Sequence, residues 1–180
     1  MAETAGYFDV ILMDPPWKIQ DFKNPTRGLA LDYEQMNDND IGAMNIEVLQ
    51  KNGFIFMWVV ASKVPLATTF FSKWGYRIVT YINWVKTTKN GLYSPSNGHY
   101  LQHAKETCIV GIKGYGFDGM RHEYFTDLIV CPRNVRQSHK PVELYEMIEK
   151  MFPYGMYLEI FARAHNLRDG WVSVGLEVPP

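Results

Sequence analysis

Cysteine is close to absent in this chain of 180 residues: only Cys108 and Cys131 occur, in neither a CxxC pair nor a Cys/His ligand spacing. No disulfide framework and no metal site are expected, and the two thiols are read as reduced and buried in an intracellular protein. An excess of either charge is missing as well. Eighteen basic residues stand against 19 acidic ones, a formal net charge of −1. A chain that grips nucleic acid unaided is usually basic, so a polyanionic ligand would need phosphate contacts from another chain or segment. No apolar run reaches the roughly 20 residues of a membrane span and no signal peptide precedes Tyr7, so no membrane is expected among the partners. Repeats, low-complexity tracts and linkers are lacking too. What remains is an ordinary folded composition, 47% hydrophobic and 21% charged, with a length that suits one domain over residues 1–180.

Apolar runs alternate with helical periodicity along the chain. Strands are expected over residues 8–13, 54–60, 76–86, 107–112, 127–130, 157–161 and 171–174. Between them, residues 38–50 read as a helix capped by Asp38 or Asp40, and residues 64–74 as a second helix ended by Gly75. Residues 141–152 read as a third, with Pro141 at its first position and Leu144, Met147, Ile148 and Met151 on one face. This rhythm predicts a three-layer α/β domain whose sheet is mostly parallel with antiparallel additions. Three long polar stretches, 18–37, 87–103 and 114–124, are candidates for function or interfaces.

Asp14-Pro15-Pro16-Trp17 follows the first apolar run directly. Neither proline can donate to a sheet ladder, so the strand stops and the acid and tryptophan sit on a stiff hook at a strand end. Open α/β sheets place ligands at that position. An acid, backbone carbonyls free of amide protons and a flat ring suit a planar ring with an exocyclic NH2, such as adenine. Asp14 and the Pro15 carbonyl can accept both amino hydrogens, and a ring face can stack. The plain alternative is a strand-ending turn with a core tryptophan. Ser138-His139-Lys140-Pro141 opens the third helix, where the helix dipole and Lys140 favour a carboxylate or ribose hydroxyls. Its plain alternative is a capping serine with a solvated lysine. Glu159 interrupts an apolar strand, where an unpaired carboxylate is costly. It either pairs with Arg163 or Lys140, or faces a ligand. His165 alone reads as a hydrogen-bonded surface histidine, and His103-Ala104-Lys105-Glu106 as a charged strand edge.

The order of these signals resembles the permuted class of S-adenosylmethionine-dependent amino-methyltransferases, in which the Asp-Pro-Pro-aromatic strand precedes the cofactor-binding strand. Within that class the match is to the eukaryotic MTA-type adenine-N6 methyltransferases, which include mRNA and DNA enzymes. Residues 14–17, 33–36, 52–59, 74–76, 84–87, 103–106, 110–114, 138–141 and 159–166 carry the resemblance, which covers nearly the whole chain. It implies a Rossmann-like fold with S-adenosylmethionine as cofactor and the N6 amine of adenine in nucleic acid as methyl acceptor. Asp14, Pro15, Pro16 and Trp17 would hold the amine, Tyr33 would seat the base, and Glu106 would line the pocket. Ser138 and Lys140 would contact cofactor or target, and Asp14 would border the cofactor. Glu159 would bind the ribose hydroxyls, with Arg163, His165 and Asn166 completing the cradle. The target adenine would be single-stranded or flipped, the partner an inactive subunit of the same fold, and the place of action the nucleus.

Departures from the pattern are informative. Ala162 and Ala164 stand where the family's cofactor loop carries glycine or proline, and Leu176 and Glu177 where its mRNA members have ribose-binding amides. The family's upstream acidic residue has no match in the 13 residues before Asp14, so the sequence reads as an excised catalytic core. The 87–103 loop lacks the arginines of the mRNA type and the 18–32 insertion is longer, which leans the expectation toward DNA over mRNA. A reading of another class, a non-catalytic scaffold of the same fold, is disfavoured because the acid of the hook and the cofactor loop both survive.

Overall fold

The computed structural model describes residues 7–19, 34–98, 100–122, 125–133 and 139–179. Seven strands form one sheet: β1 (Val10–Met13), β2 (Gly53–Val59), β3 (Arg77–Thr87), β4 (Lys105–Lys113), β5 (Leu128–Pro132), β6 (Tyr157–Ile160) and β7 (Trp171–Val174). They lie in the order β5-β3-β4-β2-β1-β6-β7. Only β4 runs against the rest, through antiparallel ladders with β2 and β3. The mostly parallel sheet is thus as expected, with a single strand supplying the antiparallel pairs.

Strict alternation builds the two faces. Val10 and Leu12 of β1, with Phe54, Phe56 and Trp58 of β2, pack beneath α3 (Val142–Met151). Their neighbours Ile11, Met13, Ile55, Met57 and Val59 face the opposite side. There they meet Ile41 of α1 (Asp38–Gly42) and Ala67, Phe70 and Phe71 of α2 (Val64–Lys73). A strand buried on both faces must be apolar throughout, hence its unbroken run. The chain moves one way along the sheet through α1 and α2 and the other way through α3. Right-handed crossovers in opposite directions leave helices on opposite faces, which makes three layers. The direction reverses around β1, so the crevice at the carboxyl ends of β1 and β6 is the switch point of this sheet.

Two helices differ from expectation. The helix expected over residues 38–50 breaks into α1 and a 3-10 turn, Ile46–Val48, and its cap is Asn37 instead of Asp38 or Asp40. Gly42 lies so close to α2 that a Cβ there would stand 2.4 Å from Cε1 of Phe70. Pro141 caps α3 in extended conformation (φ −67°, ψ 133°) instead of occupying its first turn. No described helix is long and apolar enough to cross a membrane.

Because Phe70 stacks on Trp17 of the hook at 6.2 Å, overpacking at Gly42 strikes the support of the site. Gly42→Ala gains up to about 1 kcal/mol of helix propensity but overpacks a filled core by roughly 1–3 kcal/mol. The expected outcome is a lower denaturation midpoint in urea; a midpoint at or above wild type would show that the Phe70 ring yields freely.

Candidate active site

Side-chain parity gathers the polar groups. Asp14 continues the Val10, Leu12 row of β1, Glu106 the Cys108, Val110 row of β4, and Lys86 the Ile82, Trp84 row of β3. Glu159 shares the face of Tyr157 on β6, beside Leu12 of β1. All therefore emerge on the α3 face, at the end of the sheet where the parallel strands finish and β4 begins.

The hook after β1 is tied down by its own backbone. The Pro15 carbonyl accepts the Trp17 amide at 2.8 Å, and the Pro16 carbonyl accepts the Met36 amide at 2.8 Å. The expectation that these carbonyls have no competing amide protons is thus corrected: each keeps one lone pair for a ligand. Trp17 is corrected too. Its ring is 4% exposed, stacked on Phe70, and its Nε1 donates to the Trp58 carbonyl at 3.0 Å. The indole therefore presents no open face for a base to stack on. It anchors the hook in the core beneath Asp14.

Four charges then alternate across the sheet. Lys140 Nζ lies 2.9 Å from Asp14 Oδ2 and 3.3 Å from Glu106 Oε2, and Lys86 Nζ lies 2.8 Å from Glu106 Oε1. Lys140 also rides over the Trp58 ring at 5.5 Å, and Lys86 over Trp84 at 5.7 Å. Burial disfavours the Lys140 ammonium, but the two carboxylates outweigh it and its pKa is raised. Burial also works against Glu106, yet Lys140 and Lys86 together hold its pKa below the ordinary range. For Asp14 burial prevails and raises its pKa, with Glu106 adding to it, against the shared ammonium of Lys140 and a weaker pull from Arg163.

Glu159 makes neither of the ion pairs considered for it. It is 2% exposed, and its Oε1 accepts from the Tyr145 hydroxyl at 2.7 Å and from Asn166 Nδ2 at 2.5 Å. Its Oε2 is buried with no hydrogen-bond partner among the described residues. Burial drives its pKa up to about 7; the Tyr145 hydrogen bond opposes this, and nearby Asp14 adds to it. Beyond β6 the chain turns through Phe161 at φ +67°, and the Ala162 amide bonds the Val174 carbonyl at 3.0 Å. Gly175 is required there, since a Cβ would come within 2.0 Å of the Ala162 carbonyl oxygen. Thus Ala162 is buried against a glycine contributed by the loop after β7. His165 stacks on His139 with ring centroids 3.4 Å apart, stitching the loop after β6 to the segment before α3.

The structure thus brings Asp14, Glu106, Lys140, Glu159 and Asn166 to one mouth, with Arg163 near enough to Asp14 to be felt electrostatically. Tyr33 and Ser138 lie outside the described residues. Leu176 is 94% exposed. Sequence reasoning missed Lys86, for which the parity of Trp84 and Lys86 was a usable signal. It also missed Tyr145, which reads as one more core residue of α3.

A doubly covered, mostly parallel sheet with acids at a switch point defines a nucleotide-cofactor α/β protein. The MT-A70 family model matches residues 8–177. The chain is 39% identical over 176 residues to a probable N(6)-adenosine-methyltransferase MT-A70-like of Oryza sativa subsp. japonica, covering 96% of this chain and 23% of that protein. It is 38% identical over 173 residues to the N(6)-adenosine-methyltransferase catalytic subunit METTL3 of Homo sapiens, covering 94% of this chain and 28% of that protein. To the non-catalytic subunit METTL14 of Danio rerio it is 31% identical over 189 residues, covering 97% and 40%. The chain belongs to the MT-A70 family and spans about a quarter of the length of the first two of these relatives. The residues fit the family's cofactor, S-adenosylmethionine. A buried carboxylate oxygen without a protein donor, at the end of the strand beside the hook, is suited to ribose hydroxyls.

Glu159 also yields a stability prediction. Its folded pKa of about 7 exceeds the ordinary 4.5, so its contribution to stability is present below about pH 4.5 and lost as pH rises through 7. Glu159→Gln cannot ionise. Without cofactor it is expected to melt a few degrees above wild type at pH 8, the gap closing toward pH 5. Calorimetry across that range checks it, and an offset independent of pH would show that folding does not raise the Glu159 pKa.

Proposed function

We propose that this domain transfers a methyl group from S-adenosylmethionine to the N6 amine of adenosine in RNA, as the catalytic half of a pair of methyltransferase-fold chains. The observation that carries the proposal is the placement of Asp14 and Glu159 on adjacent strands at the switch point. An acceptor for an exocyclic amine there stands beside an acceptor for ribose hydroxyls. Glu159 holds the cofactor, with Asn166 fixing its carboxylate and Arg163 and His165 bordering it. The cofactor supplies a methyl group on a cationic sulfur.

The chain's own residues prepare the amine. An adenine amino group is a poor nucleophile because its lone pair is delocalised into the ring. Asp14 and the remaining lone pair of the Pro15 carbonyl accept its two hydrogens and favour a tetrahedral nitrogen. A methyl group delivered by the bound cofactor would leave that nitrogen cationic, with a proton to shed. Asp14, whose pKa burial raises, is the acceptor for it. Lys140 and Trp17 keep Asp14 in position, and positioning of this kind supplies several kcal/mol of a transfer barrier.

The names of the relatives favour RNA over the DNA reading drawn from loop composition, and the insertion that carried that reading lies almost wholly outside the described residues. A catalytic and a non-catalytic subunit both occur among them, which supports a paired enzyme. So does the net charge of −1, which gives no long-range attraction for a polyanion. Leu92, Tyr93, Tyr100 and Leu101 are all exposed on the 87–103 loop, as an interface awaiting a partner would leave them. The same reading places the working pair in the nucleus, testable by imaging a tagged full-length chain.

Methyl transfer to matched RNA and DNA oligonucleotides, with and without a partner chain, tests the proposal. RNA is expected to be the better substrate, and turnover to rise when the partner is added. Asp14→Ala is expected to lower turnover at least about 10²-fold with cofactor affinity changed much less. Activity of that variant within about threefold of wild type would remove Asp14 from the mechanism, and equal turnover of the isolated chain would remove the partner.

A further inference from the structure

We infer that Tyr145 is a positioning residue for cofactor binding: its hydroxyl, from α3, turns Glu159 on β6 so that Oε2 faces the ligand. The inference rests on the reading of Glu159 as the ribose-binding acid and adds the group that aims it.

The geometry is directional. Oε1 is filled by two donors, the Tyr145 hydroxyl at 2.7 Å and Asn166 Nδ2 at 2.5 Å, while Oε2 receives none among the described residues. Asn166 Nδ2 also donates to the Tyr145 oxygen at 3.0 Å, which leaves the phenolic proton only the carboxylate to point at. A carboxylate so held cannot swivel to exchange its oxygens, so its open lone pairs stay on one side. Asn166 is in turn fixed by accepting the Arg163 amide on its Oδ1 at 3.1 Å.

The phenol ring is itself boxed. Arg168 lies over it at 5.9 Å, and the Trp171 ring meets it edge-on at 5.4 Å. Arg168 is forked onto Glu149, and Trp171 Nε1 donates to Glu149 Oε1 at 2.9 Å. Glu149 is on α3, while Arg168 and Trp171 belong to the segment after the cofactor loop. The helix, the chain before β7 and the start of β7 are thereby locked around a single phenol ring. A hydrophobic contact would not need this: leucine or phenylalanine would fill the site. The groups that bear on Glu159 are Tyr145 from α3, Asn166 from the loop after β6 and Asp14 from β1. Burial and Glu159 together keep the phenol protonated, so it remains a donor across the working range. Its hydrogen bond favours the charged carboxylate, the form that accepts two hydroxyls.

Tyr145→Phe keeps the ring and deletes only the donor. S-adenosylhomocysteine is titrated into wild type and variant by calorimetry from pH 5.5 to 8.5, and the Glu159 carboxyl carbon is followed by NMR in the ligand-free proteins. Wild-type affinity is expected to climb with pH and level off above about 7. The variant is expected to bind roughly 10- to 100-fold more weakly at pH 7.5, the loss of one hydrogen bond to a charged group, with both midpoints moved to higher pH. Unchanged affinity and unchanged midpoints, even with a lower melting temperature, would make Tyr145 a packing residue and overturn the inference. Absence of binding by wild type would overturn the assignment of Glu159 itself, a different failure.

Discussion

Lys140 is the charge on which the mouth of this sheet depends. It joins Asp14 at the end of β1 to Glu106 on β4, two strands that are not neighbours because β2 lies between them. A largely buried ammonium, 13% exposed, shared by two carboxylates satisfies all three groups. Removing Lys140 would leave Asp14 without its cation, at a cost below the roughly 3–5 kcal/mol of a fully buried pair because these side chains are partly exposed. Lys86 extends the alternation to β3. The aromatic floor of Trp58 and Trp84 beneath the two ammonium groups excludes water from their other sides. Asp14, the proposed proton acceptor, is therefore one member of a cross-sheet network that is also structural.

Two of the three acids of the site are treated differently by their surroundings. Glu106 faces two ammonium groups and stays ionised. Glu159 faces only neutral donors and another acid, so its charge is poorly supported until a ligand brings hydroxyls. The fold thus carries a local instability at the place where a cofactor would relieve it, a common arrangement in binding sites. The Tyr145, Arg168, Glu149 and Trp171 cluster confines that instability to one oxygen atom.

Much of this was legible beforehand, and for definite reasons. Strands buried on both faces need unbroken apolar runs, so β1, β2 and β6 were visible, and so was the stop imposed by two prolines. Glu159 was conspicuous because a carboxylate in such a run demands an explanation. The helix over residues 38–50 was misjudged because periodicity does not register how close α2 passes to Gly42. The role of Trp17 was misjudged for a related reason: a tryptophan beside a site looks the same in sequence whether its ring faces ligand or core.

By itself the sequence determined the layer architecture, the strand-end location of the chemistry and the identity of the acids, because these follow from local periodicity, proline geometry and the cost of burying charge. The tertiary structure decided which cation serves which acid, which carbonyls are spoken for, and which atom of Glu159 is left open. Those outcomes depend on the register of β1 against β2 and β6 and on where α3 crosses the sheet. Both are set by packing between residues far apart in the chain, and no local pattern encodes them.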